Sequence, residues 1–223
     1  MAIYAEGRGA AAEAEPFGAL TEGAAGIAAI VLAIIALAGI SVGALASITT
    51  IVIGVALIVQ AFNAAAEMSR AFEPSATAAG GVAGRGSELG GEIMIDLAAG
   101  VTGIVLGILS LVGINTLYLV PAALIVFGSS LILGGVTAAQ PGHPVMAMAS
   151  SGTQPQIRYQ GAAGISGLQI LVGFAAAILG ILSLIFQGSW VLVLVGFIAV
   201  GTALLIVSAS FSGAVVRLFT RAA

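Results

Sequence analysis

Six runs of apolar residues, each long enough to cross a lipid bilayer, limit the folds open to this chain. They lie at residues 23–42, 44–62, 97–114, 117–138, 166–186 and 189–211. A hydrocarbon core needs about 20 apolar residues per helix. Backbone amides find no water there, so segments of this length bond internally as α-helices, and the runs lack the alternation of a membrane β-barrel. The sequence therefore predicts an all-α integral membrane protein with six transmembrane helices.

The composition excludes several other classes of protein. Hydrophobic residues make up 60% of the 223 and charged residues only 7%, which leaves too little polar surface for a soluble domain. A net charge of −3 without a basic run argues against a nucleic-acid partner. Cysteine is absent, and the one histidine, His143, lies in a polar stretch between runs. We therefore expect a non-enzymatic protein without a metal site or a cofactor.

The six runs form three pairs, and the pairs align with one another without gaps. Residues 26–59 align with 100–133, and these with 173–206, at offsets of 74 and 73 residues. Glycines coincide in both helices of the pair: Gly26, Gly100 and Gly173 in the first, and Gly54, Gly128 and Gly201 in the second. A fixed period of this kind predicts one helical hairpin present three times, arranged as a quasi-threefold bundle.

The hairpins divide the chain into segments of distinct composition. The predicted order is an acidic, Ala-rich tail at 1–22, hairpins at 23–62, 96–138 and 166–211, polar connectors at 63–95 and 139–165, and a basic C-terminus at 212–223. The tail lacks the positive charge of a secretory leader, so we expect it to be retained. Glycines in GGVAGRGSELGGE (80–92) predict a mobile connector.

The arginines predict the orientation of the chain in the membrane. All six lie in the tail, the connectors or the C-terminus, and none lies at the short turns inside the hairpins. By the positive-inside rule, both termini and both connectors are expected in the cytoplasm.

Small residues line one face of the first helix of each hairpin. They are Gly26, Ala29 and Ala33; Gly100, Gly103 and Gly107; and Gly173, Ala176 and Gly180. Spacings of three and four residues keep each set on one helix face. Small residues let membrane helices approach closely, where van der Waals contact stabilises them. We expect these three faces to meet near a common axis, with the second helices outside.

One polar residue precedes each of these faces: Glu22, Asp96 and Gln169. In one interpretation they mark helix starts, where acids are favoured by the helix dipole. In the other they form a polar cluster at the cytoplasmic mouth of a central seam, which binds a cation or a basic residue of a partner. The sequence leaves both interpretations open.

Three stretches of the hairpins carry a likeness to a known family: GIVLGILSLVGI, IVIGVALIVQAF and VGFIAVGTALLIVSA. With them, residues 23–62, 97–138 and 166–211 resemble the HdeD-like family of small bacterial inner-membrane proteins, which is associated with acid resistance. The resemblance implies a location in the bacterial inner membrane. It implies a non-enzymatic membrane protein linked to acid or envelope stress, without catalytic residues. Two alternatives remain: an accessory or scaffold subunit of a larger membrane complex, and a passive channel or lipid-binding protein. The expected partners are membrane lipids and either further copies of the chain or other membrane proteins.

Overall fold

The computed structural model describes residues 21–71, 82–138, 155–186 and 189–221, with the backbone alone at 66–71, 82–90, 92, 138, 155–163, 165 and 209–221. All regular structure in these residues is α-helical. The six helices are α1 (Thr21–Leu37), α2 (Val42–Ala71), α3 (Val82–Leu111), α4 (Thr116–Ala138), α5 (Pro155–Ile185) and α6 (Trp190–Arg221). The predicted all-α class is confirmed, with six helices within the described residues. The threefold repeat of the hairpin stays a prediction.

Five of the six helices contain a segment long and apolar enough to cross a membrane. These segments are Val42–Ala65, Ile93–Leu111, Thr116–Thr137, Ser166–Ile185 and Trp190–Ser208, and the described part of α1 is apolar but shorter. The chain is therefore a multi-pass membrane protein.

Four helices continue past their apolar segments, at the end of the bundle where the connectors lie. The helix α2 runs on to Ala71, and α3 already begins at Val82, so residues predicted as connector are partly helical. From Val82 onward the predicted connector at 80–92 is helical, and its mobility stays a prediction. Adding a residue to an existing helix needs no new nucleation, so polar and glycine-containing flanks extend a membrane helix. The remaining connector residues, 72–81 and 139–154, lie outside the described residues.

The first two hairpins turn through left-handed backbone. Gly113 has φ 92° and Asn115 has φ 46°, and Gly39 and Ser41 adopt the same pair of conformations at 90° and 41°. The Ile114 N–H donates to the Leu109 carbonyl at 3.1 Å, which closes α3 with the bond pattern of a glycine C-cap. Because these glycines stop the helices, α1 and α3 end before their apolar runs do.

The helices form an inner and an outer set. The second helices of the hairpins, α2, α4 and α6, contact one another, whereas α3 packs against α2 and α4, and α5 against α4 and α6. All the largest fully buried side chains lie on the inner set: Phe127, Phe197, Ile53, Leu57, Leu124, Leu194, Leu204, Val120, Val193 and Val200. The expected arrangement, with the first helices at the axis, is therefore wrong. Large side chains are needed to fill the axis at the density of a protein interior, and the buried apolar side chains of the first helices are all alanines.

The outer helices turn large apolar side chains away from the bundle. Exposed examples are Ile27, Val31 and Ile34 on α1, Val101, Val105 and Ile108 on α3, and Leu171, Phe174 and Ile178 on α5. Such a continuous apolar exterior suits contact with lipid.

Candidate functional site

A very close helix contact joins α2 to α3 through two glycines. A Cβ atom added to Gly54 would lie 2.7 Å from the carbonyl oxygen of Gly100, and one added to Gly100 would lie 2.6 Å from the carbonyl oxygen of Gly54. Real Cβ atoms essentially never approach so closely, so only glycine fits at either position. The two backbones are in direct contact.

The same crossing occurs at the aligned positions of the other helices. Gly128 of α4 meets Gly173 of α5 with both distances at 2.6 Å, and Gly201 of α6 meets Gly26 of α1 at 3.0 and 2.8 Å. Each first helix thus packs against the second helix of the preceding hairpin, and α1 closes the ring on α6. Each of the three aligned glycines of the first helices therefore contacts one of the three aligned glycines of the second helices.

A second level of close packing lies nearer the short turns. An added Cβ would reach the Ser47 carbonyl oxygen from Gly107 and the Pro121 carbonyl oxygen from Gly180, at 3.0 Å in both cases. Ala33 of α1 holds the aligned position and is buried.

The third small residue of each set faces the interior. Gly103 abuts the ring of Phe127 on α4, and its aligned partners Ala29 and Ala176 are fully buried. All nine predicted small residues therefore lie in helix interfaces, in grooves between inner helices rather than against one another.

Hydroxyl groups connect three helices near the short turns. The side chains of Ser47 on α2 and Ser110 on α3 share a buried hydrogen bond of 2.7 Å between their Oγ atoms. The hydroxyl of Thr116 at the start of α4 donates to the Ser110 carbonyl at 3.0 Å. The sequence analysis gave Ser47 no role, because a lone serine in an apolar run does not indicate its partner.

The structure does not bring Glu22, Asp96 and Gln169 together. They lie on α1, α3 and α5, which occupy separate grooves around the inner helices. Asp96 and Gln169 also lie about four turns into their helices, which begin at Val82 and Pro155. The helix dipole acts mainly within the first turn, so it does not account for these two residues.

Glu22 is the most unusual polar residue of the interior. Its side chain is only 3% exposed, and its Oε1 atom is buried without a hydrogen-bond partner. The Oε1 atom of Gln60 on α2 is likewise buried and without a partner. Gln60 was not a predicted site residue, although a glutamine inside an apolar run is the signal that marks it.

The described parts of the neighbouring inner helices supply no charge that compensates Glu22. In the part of α2 and α6 whose side chains the structure describes, Val42–Ala65 and Trp190–Ser208, there is no charged residue. Within the described ranges, no three histidine or acidic residues are grouped closely enough to hold a metal ion. Within these ranges, Glu22 and Gln60 thus present a carboxyl group and a carboxamide without a charged neighbour on α2 or α6.

Comparison of the chain with protein-family models, with curated proteins and with solved structures finds no match.

Proposed function

We propose that this chain is a non-enzymatic scaffold subunit of a larger membrane complex. The observation that carries the proposal is the tightly filled axis of the bundle combined with helices that extend beyond their apolar segments at one end. A protein of this form offers rigid surfaces for assembly, one facing lipid and one facing the aqueous side.

The filled axis favours a structural role over a passive channel. Phe127, Phe197 and Ile53 are fully buried on the three inner helices, at the place where a pore through one chain would have to run. Side chains packed at interior density leave no room for a column of water. A channel formed by this chain would need a path between copies.

The projecting helices supply the aqueous surface of the proposed scaffold. Helix α6 continues from Ser208 to Arg221, and α3 begins 11 residues before its apolar segment. At about 1.5 Å per residue these extensions rise about 20 Å and about 16 Å from the apolar region. Both lie at the end away from the short turns, as do the extensions of α2 and α5. Protein partners are expected to bind there.

The proposed location is the bacterial inner membrane, with both termini in the cytoplasm. Five of the six arginines lie in the extensions: Arg70, Arg85, Arg158, Arg217 and Arg221. Positive residues close to the ends of membrane helices favour the cytoplasmic side.

The resemblance to the HdeD-like family adds a biological setting to this proposal, namely resistance to acid or envelope stress. A deletion strain that survives at low pH as well as its parent would contradict this setting. It would leave the scaffold role standing, since assembly does not depend on the stress that requires it.

Native mass spectrometry after gentle solubilisation from the source membrane tests the scaffold role. We expect a mass above the 21.8 kDa of the chain that includes at least one different subunit. A chain ending at Ser208, which lacks the α6 extension, should lose that subunit. The control Ile114→Asn changes an exposed residue at the short-turn end and should retain it.

Two results would count against the scaffold role. The mass of a single chain would exclude a stable complex. Masses that are only integer multiples of the chain would show self-assembly in its place.

A further inference from the structure

Two buried oxygen atoms at the connector end of the bundle lack hydrogen-bond partners. They are Oε1 of Glu22 on α1 and Oε1 of Gln60 on α2. A buried polar atom without a partner costs free energy, because it has given up its bonds to water. Both atoms are acceptors, so a group that satisfies them must donate a hydrogen bond or carry a positive charge.

The helix periodicity places these two residues in the same region. Glu22 and Ala29 are seven residues apart, as are Ile53 and Gln60, so each pair lies along one line of its helix. Ala29 and Ile53 are both fully buried, and they align with Gly103 and Phe127, which are in contact. The aligned contact places Ala29 and Ile53 at about the same level of the bundle. Because α1 and α2 run antiparallel, two turns from this level toward the connector end lead to Glu22 on α1 and to Gln60 on α2.

The line that contains Glu22 faces a groove between two inner helices. On α3, the aligned line contains Gly103, which contacts Phe127 of α4, and Ser110, which bonds to Ser47 of α2. On α1, the residue next to Glu22 is in contact with α6, since a Cβ added to Gly23 would lie 2.9 Å from the Oγ atom of Ser208. Glu22 therefore enters the groove between α6 and α2.

Neither inner helix supplies a charge to this groove in its described side chains, as shown above. An ionised carboxylate buried at 3% exposure among apolar residues is strongly unfavourable unless a positive group accompanies it. A proton on the carboxyl group or a small cation between the two oxygens removes this cost.

We propose that Glu22 and Gln60 form a buried site for an electropositive ligand, either a proton or a monovalent cation such as Na⁺, between α1 and α2. Bound ligand stabilises the packing of α1 in its groove, because it neutralises the carboxylate there. The site does not depend on the scaffold role, since it needs only these helices.

Cross-linking tests the placement of the two residues. The chain has no native cysteine, so Glu22→Cys with Gln60→Cys introduces the only two thiols. A thiol cross-linker that spans about 10 Å, the distance between packed helix axes, should join them within one chain. The matched control pairs Glu22→Cys with Phe62→Cys, which lies at similar depth on a face that is 63% exposed. Equal cross-linking of both pairs, or none of the Gln60 pair, would overturn the proposal.

Thermal unfolding in detergent tests the ligand and separates its two sources. The pH is varied from about 5 to about 9, a range in which a desolvated carboxyl group loses its proton. For a proton site, the Tm of the unmodified chain should fall by several degrees Celsius as pH rises, equally in sodium chloride and choline chloride. For a cation site, the Tm at high pH should be higher in sodium chloride than in choline chloride.

Glu22→Gln should abolish either response, because it removes the ionisable group while keeping its size. Gln60→Leu, a second variant, should weaken the response, and Glu13→Gln in the N-terminal tail should leave it unchanged. If Glu22→Gln responds to pH and to sodium as the unmodified chain does, the proposal is wrong.

Discussion

Gly54 and Gly100 bring the backbones of α2 and α3 into contact. A Cβ atom added to either glycine would lie within 2.7 Å of the carbonyl oxygen of the other. The same relationship joins α4 to α5 and α6 to α1. The fold is therefore held by three backbone crossings around an axis filled with large side chains.

We expect Gly100→Ala to destabilise the bundle by about 1–3 kcal/mol, the usual cost of overpacking a tight interior. The added methyl group would meet the Gly54 carbonyl oxygen and the Ile58 side chain, at 2.6 and 2.7 Å. Thermal unfolding in detergent measures the loss. Gly167→Ala is the control, since a Cβ there meets nothing within 4 Å and alanine favours the helix. Equal stability of the two variants would contradict the crossing.

Phe127→Ala should cost about 3–5 kcal/mol, because it leaves a cavity at the bundle axis. The ring of Phe127 is fully buried, whereas Phe174, on the lipid-facing side of α5, is 52% exposed. Phe174→Ala removes the same atoms and should leave the free energy of unfolding nearly unchanged. Similar losses from both variants, measured by denaturation in mixed micelles, would show that α4 is not central.

Ser110→Ala should cost about 1 kcal/mol, the typical contribution of one hydrogen bond. It removes the 2.7 Å bond to Ser47 across the interface of α2 and α3. The control is Ser129→Ala on α4, whose exposed hydroxyl bonds only to the carbonyl of Ile125 in its own helix. The two variants should differ in thermal stability, and the double variant Ser47→Ala with Ser110→Ala should cost less than the sum of the single variants.

Gly113→Ala should destabilise the second hairpin by about 1–2 kcal/mol, because φ is 92° at this position and L-residues avoid that conformation. No atom lies near an added Cβ, so the effect isolates backbone strain from crowding. Comparison with Gly91→Ala, a helical site equally open to solvent or lipid, gives the difference directly. Unchanged stability would show that the turn relaxes.

Much of this architecture follows from the sequence, because a lipid bilayer leaves few backbone conformations open to an apolar segment. Segments without access to water must be helical, and the glycines at 39 and 113 stop two of the helices. Aligned glycines at 26, 100 and 173 indicate close backbone contact. The spacing of these glycines did not identify the helices that they contact, since a small residue allows any neighbouring helix to come close. The choice of inner helices depends on the volume of Phe127 and Phe197, which appears only when all six helices pack together.

The polar residues were harder to interpret for a related reason. Asp96 and Gln169 precede apolar segments, so one of the two interpretations of the sequence placed helix starts there. The helices begin about four turns earlier. Hydropathy shows where the apolar segment begins, but it does not show where the helical backbone begins, so the sequence pattern missed these starts. Gln60 has no counterpart at the aligned positions, Gly134 and Val207, so periodicity gave it no weight.

The crossing of Gly26 with Gly201 has a consequence for biosynthesis. Helix α1 leaves the ribosome before α6, because 175 residues separate the two glycines. Until α6 is made, the side of α1 that contains Gly26 stays uncovered in the bilayer, open to other proteins or to a chaperone. When α6 is complete, its contact with α1 closes the ring of helices. A nascent chain that stalls before α6 is made therefore keeps an open ring.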